Sequence, residues 1–155
     1  MITRRTLAVL LGATALSACA GQTAAQIGQQ AATDAALIAT GLENFLSMAQ
    51  GVPPATAAKI TVYAQDVQRL AASLSASMTA SQAQPIVQQI AADVTAVAQA
   101  AAGLVPPGSQ AAQILADVQL VMPLLQIVVG IVSPAAAAPG KADAARARLQ
   151  ALPRR

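Results

Sequence analysis

Cys19 is the only thiol in a chain of 155 residues, and it closes a patterned N-terminus. Arg4-Arg5 comes first, then the apolar run Leu7 to Leu16, then the small pair Ser17-Ala18. A basic start, a short apolar middle and small residues at a cleavage point are the three parts of a bacterial secretion signal. The arginines stay on the cytoplasmic side while the apolar run crosses. That run is too short for a stable span, which needs about 20 residues. The small residues let a peptidase approach the backbone. With one cysteine, no intramolecular disulfide can form.

The tetrad Leu16-Ser17-Ala18-Cys19 resembles the lipobox of bacterial lipoproteins: an aliphatic residue, two small residues, then cysteine. The resemblance covers residues 1–19 and implies roles residue by residue. Leu16, Ser17 and Ala18 would be read by the signal peptidase. Cys19 would carry a diacylglyceryl group on its sulfur and become the first residue of the mature chain. A single acyl chain binds a membrane marginally, at about 0.8 kcal/mol per buried methylene, whereas two or three chains anchor stably. In that family, aspartate after the cysteine favours the inner membrane. Here the residue is Ala20, which implies the outer membrane, facing the periplasm. Arg4-Arg5 leaves the export route open between the general and twin-arginine systems. The small murein lipoprotein has a similar plan, but it ends in a lysine linked to peptidoglycan. This chain ends Leu152-Pro153-Arg154-Arg155.

Other reactive groups are sparse. There is no histidine, so a Ser–His or Cys–His nucleophile and a histidine-ligated zinc site are excluded. No glycine-rich phosphate loop is present. Asp34, Asp66, Asp93 and Asp117 fall one on each expected helix, and bundle proteins can build carboxylate metal sites from several helices. The iron versions require Glu-x-x-His. The four acids are therefore expected on solvated faces or near helix starts, where the dipole favours negative charge. No cofactor, metal or catalytic residue is expected, and the protein is not expected to be an enzyme.

Charged residues are 10% of the chain, against about a quarter in typical proteins. Phe45 and Tyr63 are the only aromatics. High hydropathy with few charges argues against disorder, and abundant alanine, glutamine and leucine favour helix. The net charge of +3 is misleading, because Arg4 and Arg5 leave with the signal. From residue 134 onward, Lys141, Arg146, Arg148, Arg154 and Arg155 face Asp143 alone. These five are candidate contacts for an anionic envelope partner: lipopolysaccharide, peptidoglycan or a protein. A solvated end that prevents aggregation is the competing expectation. Nucleic acid is not expected as a partner, because the compartment is wrong and stacking aromatics are lacking.

Spacing sets the elements. Ala31, Ala35, Ile38, Leu42, Phe45 and Ala49 form one stripe of a helix over 23–50, ended by Gly51 and Pro53-Pro54. Ile60, Tyr63, Val67, Leu70 and Leu74 stripe a second helix over 55–79. Pro85 suits the first turn of a third, striped by Val87, Ile90, Val94, Val97, Ala101 and Leu104. Ser109 is a plausible N-cap for a fourth. Residues 111–132 are apolar on nearly every side, with Pro123 expected to kink them. This segment suits either the centre of a bundle or, by length, a bilayer span. Asp117 and Pro123 argue against the span. Lys141 to Leu152 fits a short amphipathic helix with Ala142, Ala145, Leu149 and Leu152 on one face. Val52-Pro53-Pro54 and Val105-Pro106-Pro107 are each followed by Ala-Ala-x-Ile. That echo is either a duplicated helical hairpin or a chance likeness of alanine-rich stretches.

The expected architecture is all-α: a small antiparallel bundle of about four helices after an N-terminal signal helix, with a basic C-terminal tail. Its parts are a signal peptide at 1–18, a tether at 19–26, the bundle at 27–132 and a Pro/Ala linker with basic tail at 133–155. The expected role is a lipid-anchored, periplasm-facing structural or interaction protein. The alternative is a membrane-active lipoprotein, as in prophage lysis, that inserts 111–132.

Overall fold

A computed structural model describes residues 23–49, 51–75, 77–132 and 139–153. Five helices account for almost all of them: α1 (Ala24–Met48), α2 (Pro54–Ser73), α3 (Ala80–Ala101), α4 (Gln110–Val128) and α5 (Pro139–Gln150). No strand occurs among the described residues. The first four surround a common core in which α1 lies against α2 and α4, and α3 lies against α2 and α4. Of these neighbours, α3 and α4 touch least. The fifth packs against α1 and α4.

Local chemistry explains the helix ends. Thr23 opens α1 with a reciprocal cap: its Oγ1 accepts from the Gln26 backbone N–H, and Gln26 Oε1 accepts from Thr23 N–H at 2.8 Å. Thr79 and Gln82 make the same box at the start of α3. Each box satisfies two of the N–H groups that a helix start leaves unpaired. Ser109 caps α4 through the Ala112 N–H. Between helices, Gly51, Gly103 and Gly108 take positive φ, a region L side chains rarely adopt.

Two boundaries differ from the sequence expectation. α3 begins five residues before Pro85, because the Thr79–Gln82 box is the stronger start signal. Pro85 then lies inside the helix, where it leaves the Ser81 carbonyl without its helical donor. Both residues are exposed, so water takes that place at small cost. α2 stops at Ser73 instead of 79; Leu74 leaves the helix in extended conformation and still buries its side chain. The start of α1 at Ala24 also falls within the stretch 19–26 expected as a tether.

The core is made of the expected stripes. Ile38, Leu42, Phe45, Ile60, Val67, Val87, Ile90, Val97, Val118, Val121 and Leu125 are fully buried. Ala31, Ala35, Ala64, Ala83 and Ala111 are buried between them, so small side chains let the helices approach closely. Four stripe positions depart: Leu104 is exposed, and Ala49, Tyr63 and Leu70 are half-buried. α4 is not the central helix its composition suggested. It shows solvent the stripe Gln110, Gln113, Ala116 and Gln119, and buries Ile114, Val118, Val121 and Leu125. By length and composition alone it could cross a membrane.

The proline echo is a chance likeness, since its offset of 53–54 residues does not fit the register of a second match between the same helices, but the two halves of the chain do correspond elsewhere. Ile27-x-Gln29-Gln30-x-Ala32-x-Asp34 in α1 matches Ile86-x-Gln88-Gln89-x-Ala91-x-Asp93 in α3. Asp66-Val67-Gln68 in α2 matches Asp117-Val118-Gln119 in α4. The structure gives these matches geometric content. Ala36, Ala39 and Thr40 of α1 line a groove with Gln68 and Ala71 of α2. Their counterparts Thr95, Ala98 and Gln99 of α3 line a groove with Gln119 and Met122 of α4. The two hairpins are alike: α1 lies on α2 and α4, and α3 lies on α2 and α4, the neighbour pattern of an approximate two-fold that exchanges α1 with α3 and α2 with α4.

Gly41 of α1 lies where α4 and α5 converge. A Cβ added there would stand 2.6 Å from Val118 Cγ2 and 3.1 Å from Leu149 Cδ2. Glycine inside a helix ordinarily costs about 1 kcal/mol relative to alanine. Here the sign should reverse: Gly41→Ala should lower stability in urea denaturation by about 1–3 kcal/mol, the usual effect of overpacking.

Candidate functional site

The chemistry of the molecule is concentrated where α5 lies across α1 and α4. α5 alone has little reason to be helical, since isolated helices shorter than ~12–15 residues are marginal in water. It is held by what it touches. Ala142, Ala145 and Leu149 are buried on one face, as their spacing predicts. Leu152 is half-buried beyond the helix end.

Two arginines fix its position. Arg146 donates from Nε to Asp34 Oδ1 at 2.9 Å and from Nη2 to Asp34 Oδ2 at 2.8 Å. Arg148 donates from Nε to Asp117 Oδ2 at 2.8 Å and from Nη2 to Asp117 Oδ1 at 2.5 Å. Both are two-pronged pairs in which the planar guanidinium matches the carboxylate, the stronger form of charge-assisted hydrogen bond. They differ in depth. The Asp34 side chain is wholly buried and Arg146 mostly covered, whereas the Arg148 side chain is 59% exposed. Gln30 Nε2 adds a hydrogen bond to Asp34 from one turn earlier. The bond to Asp117 raises the Arg148 pKa above its already high ordinary value, so that guanidinium stays charged at any working pH.

A third contact ties down the end of the chain. Asn44 is buried in α1, and its Nδ2 donates to the Thr40 carbonyl at 2.9 Å and to the Pro153 carbonyl at 3.2 Å. Asn44 lies 20 residues beyond the start of α1, about 30 Å along the helix axis. The C-terminal segment therefore runs to the far end of the bundle from Thr23.

These contacts correct two sequence expectations. Asp34, Asp93 and Asp117 are not solvated; all three are buried, and only Asp66 is substantially exposed, paired with Arg69 at 3.0 Å. Arg146 and Arg148 are neither free for an anionic partner nor merely solubilising, because they neutralise two of those acids. Of the other candidate contacts, Lys141 is exposed. Arg154 and Arg155, like Leu16, Ser17, Ala18 and Cys19, lie outside the described residues. The sequence signal for the clamp was present: buried stripes interrupted by Asp34 and Asp117, and a late Arg-x-Arg with Asp143 alone near it, which also meets Arg146 at 3.4 Å.

Asp93 is the exception. It is 5% exposed, Gln89 Nε2 donates to its Oδ1 at 3.0 Å, and its Oδ2 has no partner among the described residues. Burial raises its pKa above the ordinary 3.8; the Gln89 bond opposes this, the Asp66 charge adds to it and the Arg69 charge lowers it. No group of three or more acidic or sulfur ligands that could hold a metal occurs among the described residues. No family model matches the chain, and no curated protein or solved structure matches it.

Removing one partner of a buried ion pair strands the other, at a cost of about 3–5 kcal/mol. Arg146→Ala should therefore lower the unfolding free energy by roughly that amount. Arg148→Ala removes a guanidinium that is itself mostly solvated, so the loss should be smaller than for Arg146→Ala. Parallel denaturation curves, with protease cleavage of α5 as a second readout, check the difference. Asp93 should show the opposite sign. Its folded pKa is raised, so the folded state binds the proton more readily, and stability falls as pH rises from 3.8 through the folded value. Asp93→Asn should thus be more stable than the parent at pH 7 by about 1 kcal/mol. That advantage should vanish below pH 3.8, when both side chains are neutral.

Proposed function

We propose that this chain is a lipid-anchored interaction protein of the bacterial cell envelope, without catalytic activity. The observation that carries the reading is the run Arg4-Arg5, Leu7 to Leu16, Ser17-Ala18-Cys19. On this reading the Cys19 sulfur carries lipid and Ala20 favours the outer membrane, with the mature chain facing the periplasm. Thr23 caps the first helix four residues after Cys19, which would hold the bundle close against the membrane surface. The segment ending at Pro153 lies at the opposite end of α1 from Thr23. Arg146 and Arg148 are engaged internally, so of the described candidate contacts Lys141 is the cation exposed to lipopolysaccharide, peptidoglycan or an envelope protein. The absence of histidine and the commitment of the single thiol to lipid support a role without covalent chemistry.

The length and apolarity of α4 favour a second reading, a membrane-active lipoprotein of the prophage-lysis kind. Insertion would have to separate Asp117 from Arg148 and expose a carboxylate to hydrocarbon, at about 2.5–3.5 kcal/mol on insertion scales.

Cells producing the chain should accumulate a larger precursor when signal peptidase II is inhibited, and Cys19→Ser should give that precursor without inhibitor. An unchanged size and membrane fraction in both would overturn the anchor. A Cys19→Ser chain lacking residues 1–18 should be helical and monodisperse without detergent. Detergent-dependent folding would instead favour the inserting form.

A further inference from the structure

The approximate two-fold arrangement gives the α5 face a counterpart. α5 rests on α1 and α4 through Asp34 and Asp117, and the axis carries these to α3 and α2, through Asp93 and Asp66. The match is one of chemistry as well as position. Asp93, like Asp34, is buried and receives a hydrogen bond from a glutamine one turn before it, Gln89 in place of Gln30. Around the two acids, helical spacing puts Ala96 and Ala100 beside Asp93 and Val62, Tyr63 and Leu70 beside Asp66. Val62 is 57% exposed, and Tyr63, Leu70 and Ala100 are half-buried against the core.

The faces differ in one respect. Asp34 is held by Arg146, whereas Asp93 Oδ2 has no partner among the described residues although the residue is 95% covered. Nothing in a fold gains from a buried carboxylate left bare, and such a group normally has a hydrogen-bonding partner. Arg69 does not serve, because it is bonded to Asp66 on its own helix. On the first face, the partner is a guanidinium delivered by a docked helix.

We propose that the α2–α3 face is a docking site for an arginine-bearing amphipathic helix of another protein, held through Asp93 as α5 is held through Asp34. The occupant is not a second copy of this chain. The only helix of that kind among the described residues is committed to the first face, and moving it would strand Asp34 to satisfy Asp93. The chemistry of the partner follows from the surface: two arginines two residues apart, with alanines at helical spacing beneath them. Gly41, over which Leu149 packs, is replaced on the second face by Ala100, so the partner carries a small residue at the Leu149 position. The inference deepens the interaction reading of the bundle but is independent of Cys19, so anchoring and docking can fail separately.

The probe is a labelled peptide of residues 139–153 with Leu149→Ala, titrated against the full chain in detergent micelles and read by fluorescence anisotropy. Leu149→Ala also handicaps the peptide at the first face, where that leucine is buried. Saturable one-to-one binding is expected. It should weaken at least tenfold with Asp93→Asn, which is expected to fold stably, and disappear when Arg146 and Arg148 of the peptide become alanine. Arg69→Ala should tighten it by freeing Asp66. Three results would overturn the proposal: no saturable binding, binding indifferent to Asp93→Asn with α5 released to protease, or a dimer of the full chain that Asp93→Asn makes monomeric. The first removes the site, the second moves binding to the α5 face, and the third makes the occupant a second copy.

Discussion

The Asp34 carboxylate is the constraint around which the far side of the molecule is organised. It lies wholly inside the bundle, 112 residues away in sequence from the guanidinium that neutralises it. A buried charge is tolerated only when paired and hydrogen-bonded. That requirement turns a short C-terminal helix with little intrinsic stability into a fixed part of the fold. Once Arg146 is committed, Arg148 meets Asp117, Leu149 enters the space Gly41 leaves open, and Pro153 reaches Asn44. Each contact ties α5 or the residues just after it to the bundle, and each helps to position the others.

Buried ion pairs are weak evidence for stability, because well-packed apolar groups can replace them without loss. Their better-attested use is to specify one arrangement. In a core built from alanine and valine, apolar faces are alike and slide past one another at little cost. Two guanidinium forks on fixed carboxylates define where α5 sits along α1 and α4. The two-fold repetition of the bundle makes that specificity matter, since the α2–α3 face offers a similar surface. Ala100 in place of Gly41, and Arg69 already holding Asp66, steer α5 to the face where it is found.

Much of the bundle was legible in the chain. The stripes of α1, α2 and α3 follow the expected spacing, and the threonines at 23 and 79 mark two helix starts once their glutamine partners are noticed. Pro85 pulls the expected start of α3 past the Thr79–Gln82 box, and the polar run from Ser75 does not mark the earlier end of α2 at Ser73. Val-Pro-Pro is conspicuous but out of register with the correspondence of the two halves, whereas the Gln-Gln-x-Ala-x-Asp match is easily lost among alanines and glutamines. The acids were misread for a related reason. An aspartate on a helix edge is usually solvated, and only a partner distant in sequence makes burial affordable.

The sequence by itself determined the helices, their apolar stripes and an N-terminal pattern similar to a lipoprotein signal, because propensity, capping and periodicity act within a few turns of the chain. It also set the numbers of opposite charges near the two ends. Only the tertiary structure decided which of those charges meet. Pairing Arg146 with Asp34 and Arg148 with Asp117, while leaving Asp93 Oδ2 bare, depends on how helices far apart in sequence lie side by side. Desolvation is a property of that arrangement and of no residue alone, which is why the same residue type is a clamp at two positions and an unsatisfied group at a third.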